Sequence, residues 1–355
     1  MKTDFRPGGL PAWIGSLPVR DHDEAVRLML EYTPEIPIWV QLPHFRAEGM
    51  VPQFAPGMPG LTETGGKFFI DSGAETFDHA MLGFFEDYMA VTHGHQSIAD
   101  SRFALTVKEA PGFFTFMEAL DRFDGTPVAV KGQVTGPFTF GTGLVDQDGR
   151  AVFYDDQLRD AAVRLIAMKA RWQIHRLKKY GVPVILFLDE PALAGYGSSA
   201  YISVSRADID ACFAEVIDAI HAEGGVAGVH VCANAEWPLI LDSAADIVSF
   251  DAYSYFDKFI LYRDEVRRFM EAGGILAWGI IPTGDVGAIE KETAESLYEK
   301  WKAAAGQVEK LGVPMDRIVS QSLITPSCGT GSLTLEQAGK VIRMNREVSA
   351  RVRRE

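Results

Sequence analysis

A chain of 355 residues, 47% hydrophobic and 23% charged, can bury a large core and is not disordered by composition. Its 34 Lys and Arg against 48 Asp and Glu leave a formal net charge of −14. That balance argues against a duplex nucleic-acid binder, which must neutralise phosphates, and against adsorption to an anionic membrane. Three widely spaced cysteines, Cys212, Cys232 and Cys328, do not suggest a disulfide framework. The opening MKTDFRPGG has no apolar signal segment, and runs such as Val184–Leu188 are of strand length only. The expectation is a cytoplasmic globular protein without nucleic-acid or membrane partners.

In chain order, apolar runs predict strands near Ala12–Gly15, Pro37–Gln41, Val128–Gln133 and Val184–Leu188, then near Val226–Val231, Ile247–Phe250, Ile275–Ile281 and Ile318–Leu323. The runs are continuous rather than alternating, as in parallel strands covered on both faces. Amphipathic segments lie between them. In Arg206–Glu223, Ile209, Cys212, Phe213, Val216, Ile217 and Ile220 recur at helical spacing. Ser205 with Asp208 resembles a capping box, and Gly224-Gly225 supplies the stop. Eight strands alternating with helices predict an α/β fold, a (β/α)8 TIM barrel, with a doubly wound sheet as the competitor. The stretch 43–124 is too long for one loop and helix, so a long helical insertion after the second strand is expected. No repeat or linker divides the chain, which reads as one domain over 1–355.

In a barrel, chemistry collects where strands finish. His230 and Cys232 are two apart on a strand and point the same way. Cys328 ends the last strand, and Asp251 ends the strand directly after the His-Cys pair. Two thiolates, an imidazole and a carboxylate make a reasonable tetrahedral Zn2+ set. The competing reading takes Cys232 and Cys328 as small buried hydrophobes. Cys212, on the apolar stripe of its helix, is assigned to the core. Asp189-Glu190-Pro191 ends another strand; Asp189 is taken as functional, for acid/base work or for binding an ammonium, and Glu190 is left between substrate binding and a structural role, capping the next helix or pairing with an arginine. His93-Gly94-His95 reads as an exposed or capping pair. Gly195–Ala200 opens no helix directly after a strand and is rejected as a dinucleotide loop. Gly329-Thr330-Gly331 sits where barrels often hold phosphate but has no cation beside it in sequence. The arginines of 343–354 read as the solvated face of a terminal helix.

Gly15-Ser16, Asp189-Glu190-Pro191-Ala192-Leu193, His230-Val231-Cys232, Ala245–Asp251 and Pro326-Ser327-Cys328-Gly329 run in this order through most of the chain. Together they resemble the catalytic C-terminal barrel of cobalamin-independent methionine synthase. Its superfamily includes uroporphyrinogen decarboxylase and zinc-dependent corrinoid:thiol methyltransferases. The resemblance implies Zn2+ held by His230, Cys232 and Cys328, with Asp251 standing where the family has glutamate. It further implies Ser16 on the carboxylate of homocysteine and Asp189 on its ammonium group.

Two departures separate the chain from the folate-dependent enzymes. It has no room for their second barrel, and Trp278–Thr283 lacks the histidine that protonates the departing folate nitrogen. The expectation is therefore a single-barrel methyltransferase that moves a methyl group to a thiol, most simply homocysteine. Its donor would be a methyl-corrinoid, free or on a carrier protein, and the segment Phe45–Phe77 would cover the site or dock the carrier. The alternatives are a methylcobalamin:coenzyme M-type transferase, a uroporphyrinogen decarboxylase-like enzyme and a non-catalytic zinc or corrinoid partner. The decarboxylase would need more arginines near the first strand than Arg6 and Arg20.

Overall fold

The computed structural model describes residues 2–355. Its strands are β1 (Leu10–Pro11), β2 (Leu61–Thr64), β3 (Lys67–Ile70), β4 (Val130–Thr135), β5 (Val184–Asp189), β6 (Val226–Val231), β7 (Ile247–Phe250), β8 (Ile275–Ile281) and β9 (Ser322–Pro326). Seven of them form one parallel sheet in the order β1-β9-β8-β7-β6-β5-β4. The first strand thus pairs with the last, as in a sheet curled toward a barrel. The alternation of side chains divides the core in two. Ile185 and Phe187 of β5 join Leu10, Val226, Ile247, Ile275 and Leu323 on the inner face, while Leu186 and Leu188 pack outward among the helices. Gly228 of β6 is part of this packing: a Cβ there would lie 2.3 Å from the Phe187 ring.

The expected strand at Pro37–Gln41 is a correction. This segment makes isolated parallel bridges on both sides, Ile38 with Lys131 and Gln41 with Ser16, rather than a ladder. The sheet therefore counts seven strands, with residues 37–41 linking its two edges through Lys131 N–H to Pro37 O (2.8 Å) and Gln41 N–H to Gly15 O (2.9 Å). The last strand also moves, from Ile318–Leu323 to Ser322–Pro326. Ile318 belongs instead to the helix Met315–Ser320 that precedes it, where it is fully buried. A short apolar run cannot be assigned to helix or strand by periodicity alone.

The helices after the strands form where their sequence supports them. Arg206–Ala222 carries the expected Ser205–Asp208 capping box, buries Ile209, Cys212, Phe213, Val216, Ile217 and Ile220, and stops before Gly224 at φ +73°. Leu335–Val352 is the terminal helix, opened by a box of Thr334 and Gln337. Between residues 43 and 124 lie the helices Met50–Phe54, Phe77–Thr92 and Pro111–Asp121 and the antiparallel hairpin β2–β3. The hairpin turns on Gly65 and Gly66, both at positive φ, the conformation a two-residue primed turn requires. Among the described residues, no helix is long and apolar enough to cross a membrane.

Candidate metal centre and substrate cavity

Three donors converge at the ends of β6 and β9. One ligating atom each of His230, Cys232 and Cys328 lies within 4.8 Å of the others. His230 is buried, and its Nδ1 is 3.0 Å from Ser249 Oγ, its register partner on β7. Its Nε2 is buried without any hydrogen-bond partner. A buried imidazole nitrogen left unpaired costs free energy unless something fills it, and a metal ion does so. The Cys328 thiol and the His230 ring beside it hold the Cys232 thiol well below its usual range. The same contact and burial push Cys328 up. Two cysteine sulfurs beside an unpaired imidazole nitrogen suit a borderline-soft cation such as Zn2+.

These donors line a cavity of about 740 Å³ that also exposes Ser16, Arg20, Gln41, His44 and Asp189. Ser16 is held by a glycine-rich loop. Thr330 N–H donates to Ser16 O (2.9 Å) and Gly331 N–H to Ser16 Oγ (3.2 Å). A Cβ at Gly329 would come within 2.3 Å of that hydroxyl oxygen, so the loop closes on Ser16 only because residue 329 has no side chain. Asp189 ends β5 in register with His230; burial pushes its carboxyl up, with His230 and then Lys131 opposing the shift. Another part of the wall is the start of the 43–124 stretch. Pro43, His44, Glu48, Gly49 and Met50 line the cavity; the Glu48 carboxylate fixes them by accepting from Leu42 N–H (2.8 Å) and meeting His22 Nε2 (2.8 Å). Thr135 Oγ donates to Met50 O (2.7 Å). Of the expected covering segment Phe45–Phe77, the part up to Met50 reaches this cavity.

Two of the residues singled out from sequence take other places. Glu190 does not line the cavity. It is fully buried, and its carboxylate accepts from Phe138 N–H (2.9 Å), Thr139 N–H (2.8 Å) and Thr139 Oγ (2.6 Å) at the start of the helix Pro137–Gly143. Burial raises it to about 7 despite those bonds. A Cβ on Gly136 would strike this carboxylate at 2.2 Å. Asp251 is not among the converging donors; it caps the helix Ala252–Phe259 through Ser254 N–H (2.8 Å) and lines a smaller neighbouring cavity that it shares with Cys232. Cys212 is buried in the core, and its thiol is pushed up to about 12. His93 and His95 are exposed.

Lys131 of β4 was not singled out from sequence. It is 1% exposed, its Nζ has no hydrogen-bond partner, and it sits 4.0 Å from the centroid of the Phe187 ring. Burial lowers it to about 8, with Asp189 opposing. The folded value lies below the unfolded one, so burying this lysine costs stability in full below about pH 8, and the cost is relieved as pH rises toward 10.5. Lys131→Met should therefore stabilise the fold at pH 7 by about 3 kcal/mol and flatten the gain that the parent shows above pH 8. Urea unfolding of both proteins at pH 7 and pH 10 checks this; a less stable variant at pH 7 would mean that the Phe187 ring and Asp189 outweigh the cost of burying the ammonium.

No family profile matches the chain, and no curated protein matches it. Among solved structures it is similar to a methyltransferase from Methanosarcina mazei, with a TM-score of 0.54 and 12% identity over 97% of this chain and 94% of that one. It also matches a B12-independent methionine synthase from a Shewanella species, in complex with selenomethionine, at a TM-score of 0.49 and 15% identity. That match covers 69% of this chain and 66% of the synthase. A broad-specificity endoglucanase from Clostridium longisporum matches at a TM-score of 0.39 and 15% identity, over 70% of this chain and 79% of its own. At these identities the Methanosarcina structure bears on the fold alone, an α/β architecture of barrel type.

Proposed function

We propose that the chain is a zinc-dependent methyltransferase that moves a methyl group to a small amino-thiol, most simply homocysteine, on a single barrel of (β/α)8 type. The observation that carries the reading is the convergence of His230, Cys232 and Cys328 around an unpaired, buried Nε2 on the wall of a cavity that also presents Ser16 and Asp189. Zn2+ at that place would favour the thiolate form of a bound thiol at neutral pH. Ser249 orients the His230 ring. Ser16 and Asp189 fix the carboxylate and ammonium ends of the substrate, so positioning supplies part of the rate. The thiol sulfur forms a new bond to the methyl carbon as the donor–methyl bond breaks. The bonding pair leaves with the donor, and the thiol proton passes to solvent.

The direct test is metal analysis of the purified protein together with methionine formation from homocysteine and methylcobalamin. About one zinc per chain and turnover lost on chelation are expected. A metal-free protein, or turnover indifferent to chelation, overturns the reading.

A second result is expected from Asp189→Asn. Loss of a charge-assisted hydrogen bond should weaken homocysteine binding about tenfold to a hundredfold and leave zinc in place. A thiol without an amino group should be nearly indifferent. Calorimetric titration of both thiols checks the difference, and equal losses would make Asp189 a structural residue.

A further inference from the structure

Arg20 has no role in the methyl transfer described above. It lies four residues beyond Ser16 and, among the described residues, is the one lysine or arginine that lines the 740 Å³ cavity. No carboxylate claims it, although Asp21, Asp23 and Glu24 follow directly in sequence. Asp21 is engaged in capping the helix His22–Tyr32, where it accepts from Glu24 N–H at 2.8 Å. The other acids of the cavity do not compete for it either. Glu48 is buried and held by Leu42 N–H and His22, and Asp189, at the C-terminal end of β5, makes no ion pair with Arg20. The Gly329-Thr330-Gly331 loop, which lacks a cation in sequence, shares this cavity with Arg20 in the fold. Gly331 N–H already donates to Ser16 Oγ, which leaves the serine's own proton free to be donated. The cavity thus offers a hydroxyl donor and an unpaired guanidinium for an anion, and a carboxylate, Asp189, for a cation.

We propose that Arg20 is a specificity-determining residue: its guanidinium, together with the Ser16 hydroxyl, holds the carboxylate of the thiol substrate, so the site selects amino-thiols with an anionic end. This rests on the thiol-transfer reading and narrows its substrate class. A guanidinium suits the task because its planar fork matches the two oxygens of a carboxylate, whereas an ammonium offers a point charge.

Calorimetric titration of the zinc-loaded protein tests it with two probes, homocysteine and 3-aminopropanethiol, which keeps the thiol and the amine and lacks the carboxylate. Arg20→Met should weaken homocysteine binding about tenfold to a hundredfold and change 3-aminopropanethiol binding less than about twofold. The second probe also reports that the variant is folded. Arg20→Lys should recover part of the loss. If the parent binds homocysteine and Arg20→Met binds it equally well, or loses both thiols equally, the assignment of Arg20 falls and the thiol reading stands. A parent protein that binds neither thiol overturns the thiol reading and this proposal with it.

Discussion

Serine in place of Cys232 or Cys328 should take bound zinc from about one equivalent to well below it and lower thiol methylation at least about a hundredfold. Structural zinc sites draw an apparent 10–16 kcal/mol from their full ligand sets, and even outer partners of the ligands are worth about tenfold to a hundredfold. A hydroxyl does not ionise near neutral pH, so it replaces a thiolate with a neutral, harder donor. The substitution is small enough to leave the fold intact: both cysteines are half-buried at the ends of strands rather than in the core. Cys212→Ser is the matched control. That thiol is buried on the helix Arg206–Ala222 and should leave zinc unchanged while costing stability. Ser249→Ala should weaken zinc about tenfold by freeing the His230 ring. Metal analysis and competition with a chromogenic chelator measure all four variants. Full occupancy in both cysteine variants would place the site elsewhere.

How far the fold could be read from sequence follows burial. The runs at Val184, Val226, Ile247 and Ile275 are strands close to their expected bounds, because each is covered on both faces and no local turn chemistry competes. Prediction failed where segments are short. Pro37–Gln41 is apolar enough for a strand but contributes bridges, and Ile318 was drawn into a strand although a helical turn buries it. The hairpin Leu61–Ile70 was legible through Gly65-Gly66 between β-formers and was passed over inside a region read as helical.

At the site, spacing placed His230, Cys232 and Cys328 at one end of the sheet, and the fold brings their donor atoms together. It could not show that Glu190 faces Gly136 and Thr139 instead of the cavity, because β5 ends at Asp189 and the direction of Glu190 is set by the turn that follows. Lys131 escaped notice within an apolar run, although a lysine in a strand covered on both faces is itself an anomaly. Arg20 and the 329–331 loop lie more than three hundred residues apart, so their shared cavity is a property of the curled sheet, in which β1 pairs with β9.

Methylcobalamin should support methylation of homocysteine, and methyltetrahydrofolate should be slower by about a hundredfold to ten-thousandfold, the usual worth of a positioned general acid. A folate nitrogen leaves poorly unless it is protonated, whereas a corrinoid departs with the bonding pair on cobalt and needs no proton. The ends of β7 and β8 offer little to protonate it. Thr283 Oγ and Ser327 Oγ hydrogen-bond each other at 2.9 Å, and Ser327 Oγ also accepts from Thr283 N–H at 3.1 Å. Asp285 caps the helix Val286–Lys291 through Gly287 N–H at 2.8 Å. Tyr253 donates to Glu292 at 2.9 Å and is pushed up to about 12, with burial the larger cause, too weak an acid for the task. That leaves Asp251, whose carboxyl burial pushes up while Ser254 N–H pulls it back toward the ionised form. Separate assays with each donor, following methionine, decide the matter. Robust folate turnover with none from methylcobalamin or a methylated corrinoid protein would overturn the corrinoid reading. It would also assign the missing proton to Asp251, and Asp251→Asn should then abolish folate turnover while leaving zinc bound.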